Sequence, residues 1–131
     1  MWYPPGVATS EAELDKMRRN LEVRAIRRAQ ALALRLHKAR ADFDRIVRHL
    51  VETYRPTRIY QWGSLLDEAH FTERSDIDLA VEGTFTAEQF FAMLRDACGM
   101  TRLAVDLVEI RKVHPAFAES IRERGRVVYE R

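Results

Sequence analysis

A single cysteine, Cys98, stands among 131 residues. An intrachain disulfide is therefore excluded, and a reducing, cytoplasmic setting is expected. No uncharged run approaches the roughly 18–20 residues that a membrane span requires. The start, Met1-Trp2-Tyr3-Pro4-Pro5-Gly6, lacks the basic and apolar regions of a secretory signal, which again predicts a cytoplasmic protein. Glycine and proline are scarce, at 5 and 4 residues, and neither occurs between Val7 and Arg55. His37, His49, His70 and His114 are scattered without metal-ligand spacing and read as ordinary surface or core histidines. There is no internal repeat and no low-complexity tract.

What the chain has instead is charge, unevenly placed. Charged residues make up 32% of it, and the net charge is only +2. Between Lys16 and Arg40, however, nine basic residues face Glu22 alone, so this segment carries +8 and the remainder, +2 less +8, carries −6. A basic element on an acidic body points to an acidic partner, nucleic acid or the acidic body of another subunit.

The same segment is helical in pattern. Ser10 and Glu13 form a capping box, and Leu14, Met17, Leu21, Ala25, Ala29, Leu32, Leu36, Ala39, Phe43, Ile46 and Leu50 then follow steps of three and four, the α-helical period. An unbroken helix over 10–54 would span about 66 Å, so it is expected to bend, break or pack against another chain. Tyr54-Arg55-Pro56 ends it. Residues 1–9 read as flexible, 1–40 as a basic amphipathic helical extension, and 41–131 as one compact domain. The extension's apolar stripe suits docking on the domain or self-association; nucleic acid is a less favoured partner.

Downstream, Arg58–Trp62 reads as a strand, and Ser64 caps a short helix or turn around 64–71. Residues 75–82 form a second strand, and Thr86 with Gln89 caps a helix near 86–98 that presents Phe90, Leu94 and Ala97 on one face. A strand over 102–110 follows, then a helix with Pro115 in its first turn, Phe117 and Ile121 inward and Gly125 at its end. Val127–Tyr129 is a last short strand. The fold class is α/β (α+β): a small sheet, mixed or antiparallel in part, with helices packed against one face.

The chemistry concentrates between Gly63 and Gly83. A Gly63-Ser64 turn follows the first strand, and Asp76 and Asp78 later flank Ile77. Carboxylates two apart on a strand point to the same side, roughly 6.6 Å apart along it, while Ile77, Leu79 and Val81 face the other way. Hard divalent cations such as Mg2+ prefer carboxylate oxygens and share their coordination with substrate phosphates. A Gly-Ser turn offers backbone N–H groups and a hydroxyl for a phosphate. A third carboxylate, Asp106, lies beside Ala104 and Val108 on the strand face opposite Leu103, Val105 and Leu107. Burying it without a partner would be costly. If the two strands pair, three carboxylates meet and repel until a cation joins them. Alternation places Glu109 on the face away from Asp106.

Gly63-Ser64, Ser75-Asp76-Ile77-Asp78-Leu79-Ala80-Val81 and Asp106 in Val-Asp-Leu-Val resemble the DNA polymerase β-like nucleotidyltransferases, most closely the minimal nucleotidyltransferase (MNT) branch. The run Ser120–Glu130 is similar to the closing helix and strand of that branch, and the similarity covers roughly residues 41–130. The resemblance implies a polymerase β-like fold and two Mg2+ ions held by Asp76 and Asp78, with Asp106 assisting one ion and serving as a base. It also implies a triphosphate, ATP or another NTP, positioned by Gly63 and Ser64. The sequence departs from the family pattern at Asp67 and Glu68, where a basic residue and a glycine are usual; Arg74, before Ser75, is the candidate replacement cation.

The resemblance further implies transfer of a nucleotide, AMP from ATP, to a hydroxyl of a partner protein, as by the antitoxin of an MNT/HEPN toxin–antitoxin pair. The HEPN motif itself is absent, since Arg45, His49 and Tyr54 have the wrong spacing; the expected partner is a HEPN-type protein. The alternatives are an inactive binding module that neutralises such a toxin, which Asp67 and Glu68 favour, and a small-molecule (aminoglycoside-like) nucleotidyltransferase, which usually needs a further substrate domain.

Overall fold

The computed structural model of the protein describes residues 10–131; the flexibility expected of residues 1–9 lies outside them. The first helix, α1, runs Glu11–Tyr54 without a break. Its start is the expected capping box: the Ser10 hydroxyl accepts the Glu13 N–H at 3.2 Å, and the Glu13 carboxylate accepts the Ser10 N–H at 3.2 Å. Its end is Arg55, in a left-handed conformation at φ 50, followed by buried Pro56. The chain divides into two units, with the boundary between Ala33 and Leu34. Over residues 34–54 the stripe is buried at Leu36, Ala39, Phe43, Ile46 and Leu50. Over residues 11–33 Leu14, Met17 and Leu21 of the same stripe are 47%, 57% and 60% exposed.

Residues 34–131 build a four-stranded mixed sheet: β1 (Arg58–Trp62), β2 (Ile77–Glu82), β3 (Val105–Glu109) and β4 (Arg126–Glu130), in the order β3-β2-β1-β4. β1 is antiparallel to β2 and β4, and β2 is parallel to β3. The parallel pair needs a crossover, supplied by α2 (Ala87–Gly99). Its predicted capping box is present, with Thr86 accepting from Gln89 N–H and Gln89 accepting from Thr86 N–H. β3 is shorter than the 102–110 strand expected from sequence. Two 3-10 turns, Ser64–Leu66 and Glu68–His70, fill the loop after β1.

Alternation divides the core between the two faces of the sheet. Ile59, Ile77, Leu79, Val81 and Leu107 are buried on one face. α1 and α2 are tied together by Asp96, which accepts hydrogen bonds from Tyr54 Oη at 2.6 Å and pairs with His49 at 2.9 Å. Met93 and Ala97 are the fully buried residues of α2. The other face carries a second cluster of Tyr60, Ala80, Ile110, Ala118 and Ile121. This corrects the expectation of helices on one face only, because α3 (Pro115–Arg124) covers part of the opposite side. Within α3, Ala118 rather than Phe117 accompanies Ile121 inward; Phe117 is 38% exposed. The small Ala118 lets α3 lie close to the strands. Gly125 has the same purpose: a Cβ there would stand 2.4 Å from the Ile121 carbonyl oxygen and 2.8 Å from that of Gln61.

Candidate active site

Three neighbouring strands deliver the candidate residues to one end of the second face. Trp62, Asp78 and Asp106 occupy matching positions on β1, β2 and β3, since Trp62 pairs with Asp78 and Asp78 with Asp106. Asp76 lies two residues before Asp78, and Gly63 follows Trp62. The register therefore sets Asp106 level with Asp78, while Asp76 lies just before β2.

Gly63 shows how tightly the turn closes on Asp78. Its φ is +80, and a Cβ built on it would fall 2.0 Å from Asp78 Oδ2. Any side chain at 63 would displace the carboxylate, so the glycine is required by contact as well as by conformation. Sequence reading assigned Gly63 only to the turn; nothing in the pattern foretold that it would press against an aspartate fifteen positions later.

The carboxylates differ in setting. Asp78 is buried, at 9% exposure, and its pKa is pushed up to about 7 by burial first, then by the charges of Asp106 and Asp76. Asp106 is exposed. That reverses the expectation that Asp106 would be the buried carboxylate: β3 is an edge strand, and its flanking residues Ala104 and Val108 leave the side chain open to water. Glu109 is buried on the opposite face, as alternation predicted, with Lys112 Nζ at 3.4 Å.

All three side chains offer hard oxygen donors, the set suited to Mg2+. The elevated Asp78 pKa comes from burial first and from the two neighbouring carboxylates second, and a cation there would offset both. Among the described residues, no group of three or more His, Cys, Asp or Glu side chains is drawn close enough to hold a metal ion as it stands.

The phosphate side is arranged differently from the prediction. Ser64 is the first residue of its 3-10 turn rather than its cap; Gly63 occupies the cap position and supplies no side-chain bond. The turn is closed by Leu66 N–H to Gly63 O and Asp67 N–H to Ser64 O, both at 3.3 Å. Ser75 is buried, and its hydroxyl accepts the Thr72 N–H at 2.8 Å while its own N–H donates to Thr72 O. Ser75 thus holds the bend that leads into Asp76. Arg74 is exposed and forms no ion pair among the described residues.

The two departures from the family pattern have local employment or open surroundings. Asp67 caps the second 3-10 turn by accepting the Ala69 N–H at 3.0 Å, and its other oxygen pairs with His70 Nδ1. The His70 bond, then the Ala69 N–H, lower its pKa. Glu68 is exposed.

Aromatic residues were not among the expected site groups. Trp62, on the face of Asp78, meets Phe117 edge to face with ring centroids 5.4 Å apart, and its indole Nε1 is buried without a hydrogen-bond partner. A tryptophan ending an apolar strand just before Gly-Ser was the available signal. A cavity of about 300 Å³ beside Leu65 and Leu66, lined also by Arg40, Phe43, Asp44, Gln61 and Arg126, opens on the Gln61 side of β1. Alternation puts that side opposite Asp78, so the cavity is separate from the carboxylates. No helix among the described residues is long and apolar enough to cross a membrane.

A family model described as Polymerase beta, Nucleotidyltransferase matches residues 44–131. No curated protein and no solved structure matches the chain significantly.

Proposed function

The chain belongs to the polymerase beta nucleotidyltransferase family, and from that premise we propose that it transfers a nucleotide, AMP from ATP, to a hydroxyl of a partner protein. The observation that supports this most is the Asp78 carboxylate, buried against Gly63 and raised to about 7 beside Asp76 and Asp106. An unpaired buried carboxylate is costly, and a site for a cationic group explains its retention.

In this reading Asp76 and Asp78 would hold Mg2+, and Asp106 would complete one ion's site. Bound divalent ions supply charge neutralisation for the phosphates and for the attacking and leaving oxygens. Exposed Asp106 is open to an incoming acceptor and takes the proton of its hydroxyl. The Gly63–Leu66 turn receives the triphosphate, with Arg74 as the cation that the family places nearer the serine. Asp67 does not oppose this, because its two oxygens serve Ala69 and His70. The acceptor class rests on the likeness to the minimal nucleotidyltransferases, and so does the HEPN-type partner.

The second reading, a binding module that neutralises a partner without catalysis, draws on the two acidic residues after the turn. Titration of MgATP into wild type and Asp76→Asn separates the cases, with binding expected only for wild type. Equal binding by both, or by neither, defeats the nucleotide site. Label from α-32P-ATP is then expected on a co-expressed HEPN-type protein, and an unlabelled partner held in a stable complex supports the binding module. Label on an aminoglycoside instead would move the acceptor to a small molecule.

A further inference from the structure

The first half of α1 carries an apolar stripe in the same phase as the buried residues of its second half, yet Leu14, Met17 and Leu21 are exposed, with Val23 and Ile26 exposed beside them. Most helical stability in proteins comes from packing an amphipathic face rather than from propensity, and a stripe of this kind ordinarily faces a core or a partner. Two independent patterns in the segment select the partner. Charge is polarised along it: over 11–22 four acidic residues outnumber Lys16, Arg18 and Arg19 for a sum of −1, whereas over 24–35 Arg24, Arg27, Arg28 and Arg35 stand alone for +4. Side-chain size is polarised as well, with Leu14, Met17 and Leu21 followed by Ala25 and Ala29.

We infer that residues 11–35 pair antiparallel with the same segment of a second copy of this chain, about a twofold axis near Val23. That orientation sets the half of each helix that sums to −1 against the +4 half of the other, with Arg18 and Arg19 facing Arg28 and Arg27 as its like-charge contacts. It also sets Met17 and Leu21 against Ala29 and Ala25, so that the apolar surfaces interdigitate. It is also isologous, as a closed dimer requires. Parallel pairing would set the two +4 halves against each other and stack leucines on leucines. A polynucleotide would engage the basic residues but leave Leu14, Met17 and Leu21 in water. The paired segments would be about 37 Å long, and the pairing would double the number of catalytic domains per particle.

Sedimentation of the full chain across concentration tests this. Wild type is expected to be a dimer, and Leu21→Glu a monomer with a dissociation constant raised at least tenfold. Because Leu21 is exposed in the chain itself, unchanged near-ultraviolet circular dichroism is expected of that variant; Met17→Glu serves as a second probe of the same stripe. Orientation is read by a nitroxide at Ala12→Cys in a Cys98→Ser background, since Cys98 is free and exposed. Antiparallel pairing predicts a label separation of about 30 Å or more, from 22 residues at 1.5 Å each. A wild type that is monomeric at every concentration overturns the inference, as do a dimer that survives both glutamate substitutions, association only on adding RNA, or a label separation of about 10–20 Å.

Discussion

Substituting Asp78 by asparagine keeps its size and removes a charge that the fold has difficulty housing. Its carboxyl is raised from 3.8 to about 7 by burial, then by Asp106, then by Asp76. A group whose folded pKa lies above its unfolded value supports the fold fully below the unfolded pKa, and that support is lost as pH rises through the folded pKa. The window therefore runs from about pH 4 to just above pH 7. Roughly three pKa units correspond to about 4 kcal/mol, which for a chain of this size is a shift in Tm on the order of 10 °C. The assay is thermal unfolding by circular dichroism in EDTA, from pH 5 to 9, for wild type and Asp78→Asn. Titrations common to both chains cancel in the difference. Wild type should lose ground to the variant steadily between pH 5 and 7 and level off above that, and Asp106→Asn should lower the upper end of that loss more than Asp76→Asn, following the order of their charges. Mg2+ should restore wild type at pH 8 and leave Asp78→Asn unmoved. Two curves that stay parallel from pH 5 to 9 would refute the argument.

Three further outcomes follow from local geometry. Gly63→Ala places a methyl group 2.0 Å from Asp78 Oδ2 in a left-handed backbone; it should abolish MgATP binding by calorimetry and cost at least about 1–2 kcal/mol in urea unfolding. Asp96→Ala leaves Tyr54 and His49 without their shared acceptor, so a loss of about 1–3 kcal/mol is expected, with nucleotide binding preserved in the material that remains folded. Arg74→Ala should weaken MgATP binding about tenfold or more with Tm unchanged, since the side chain is exposed; unaltered affinity would remove Arg74 from the phosphate site.

The strands and the capping boxes were legible because each is written in short-range periodicity. Alternation alone places Asp78 opposite Ile77 and Leu79, and a parallel neighbour then brings Asp106 level with it. Burial was harder to read. Asp106, between Ala104 and Val108, looked like the enclosed carboxylate, but it lies on an edge strand, and strand order is not encoded in the residues that flank it. Asp78 became the buried one because β1 and Gly63 close over it from fifteen residues away. The same limit applies to α3, where Phe117 and Ala118 compete for one inward position: the larger side chain has the greater apolar area, yet the close approach fixed by Gly125 admits only the smaller.

The acidic residues after the Gly-Ser turn bear differently on activity once their bonds are known. A free Asp67 near a triphosphate would repel it at close range, where unscreened charges cost several kcal/mol at an intermediate dielectric. Here both of its oxygens are occupied, one by the Ala69 N–H and one by His70. Asp78, with its pKa pushed up to about 7, is only partly charged at neutral pH, which would further lower the negative charge met by a nucleotide bound as proposed. The same protonation competes with divalent ions, so affinity for MgATP should climb as pH passes from 6 to 8. A flat profile over that range would mean that Asp78 does not control binding.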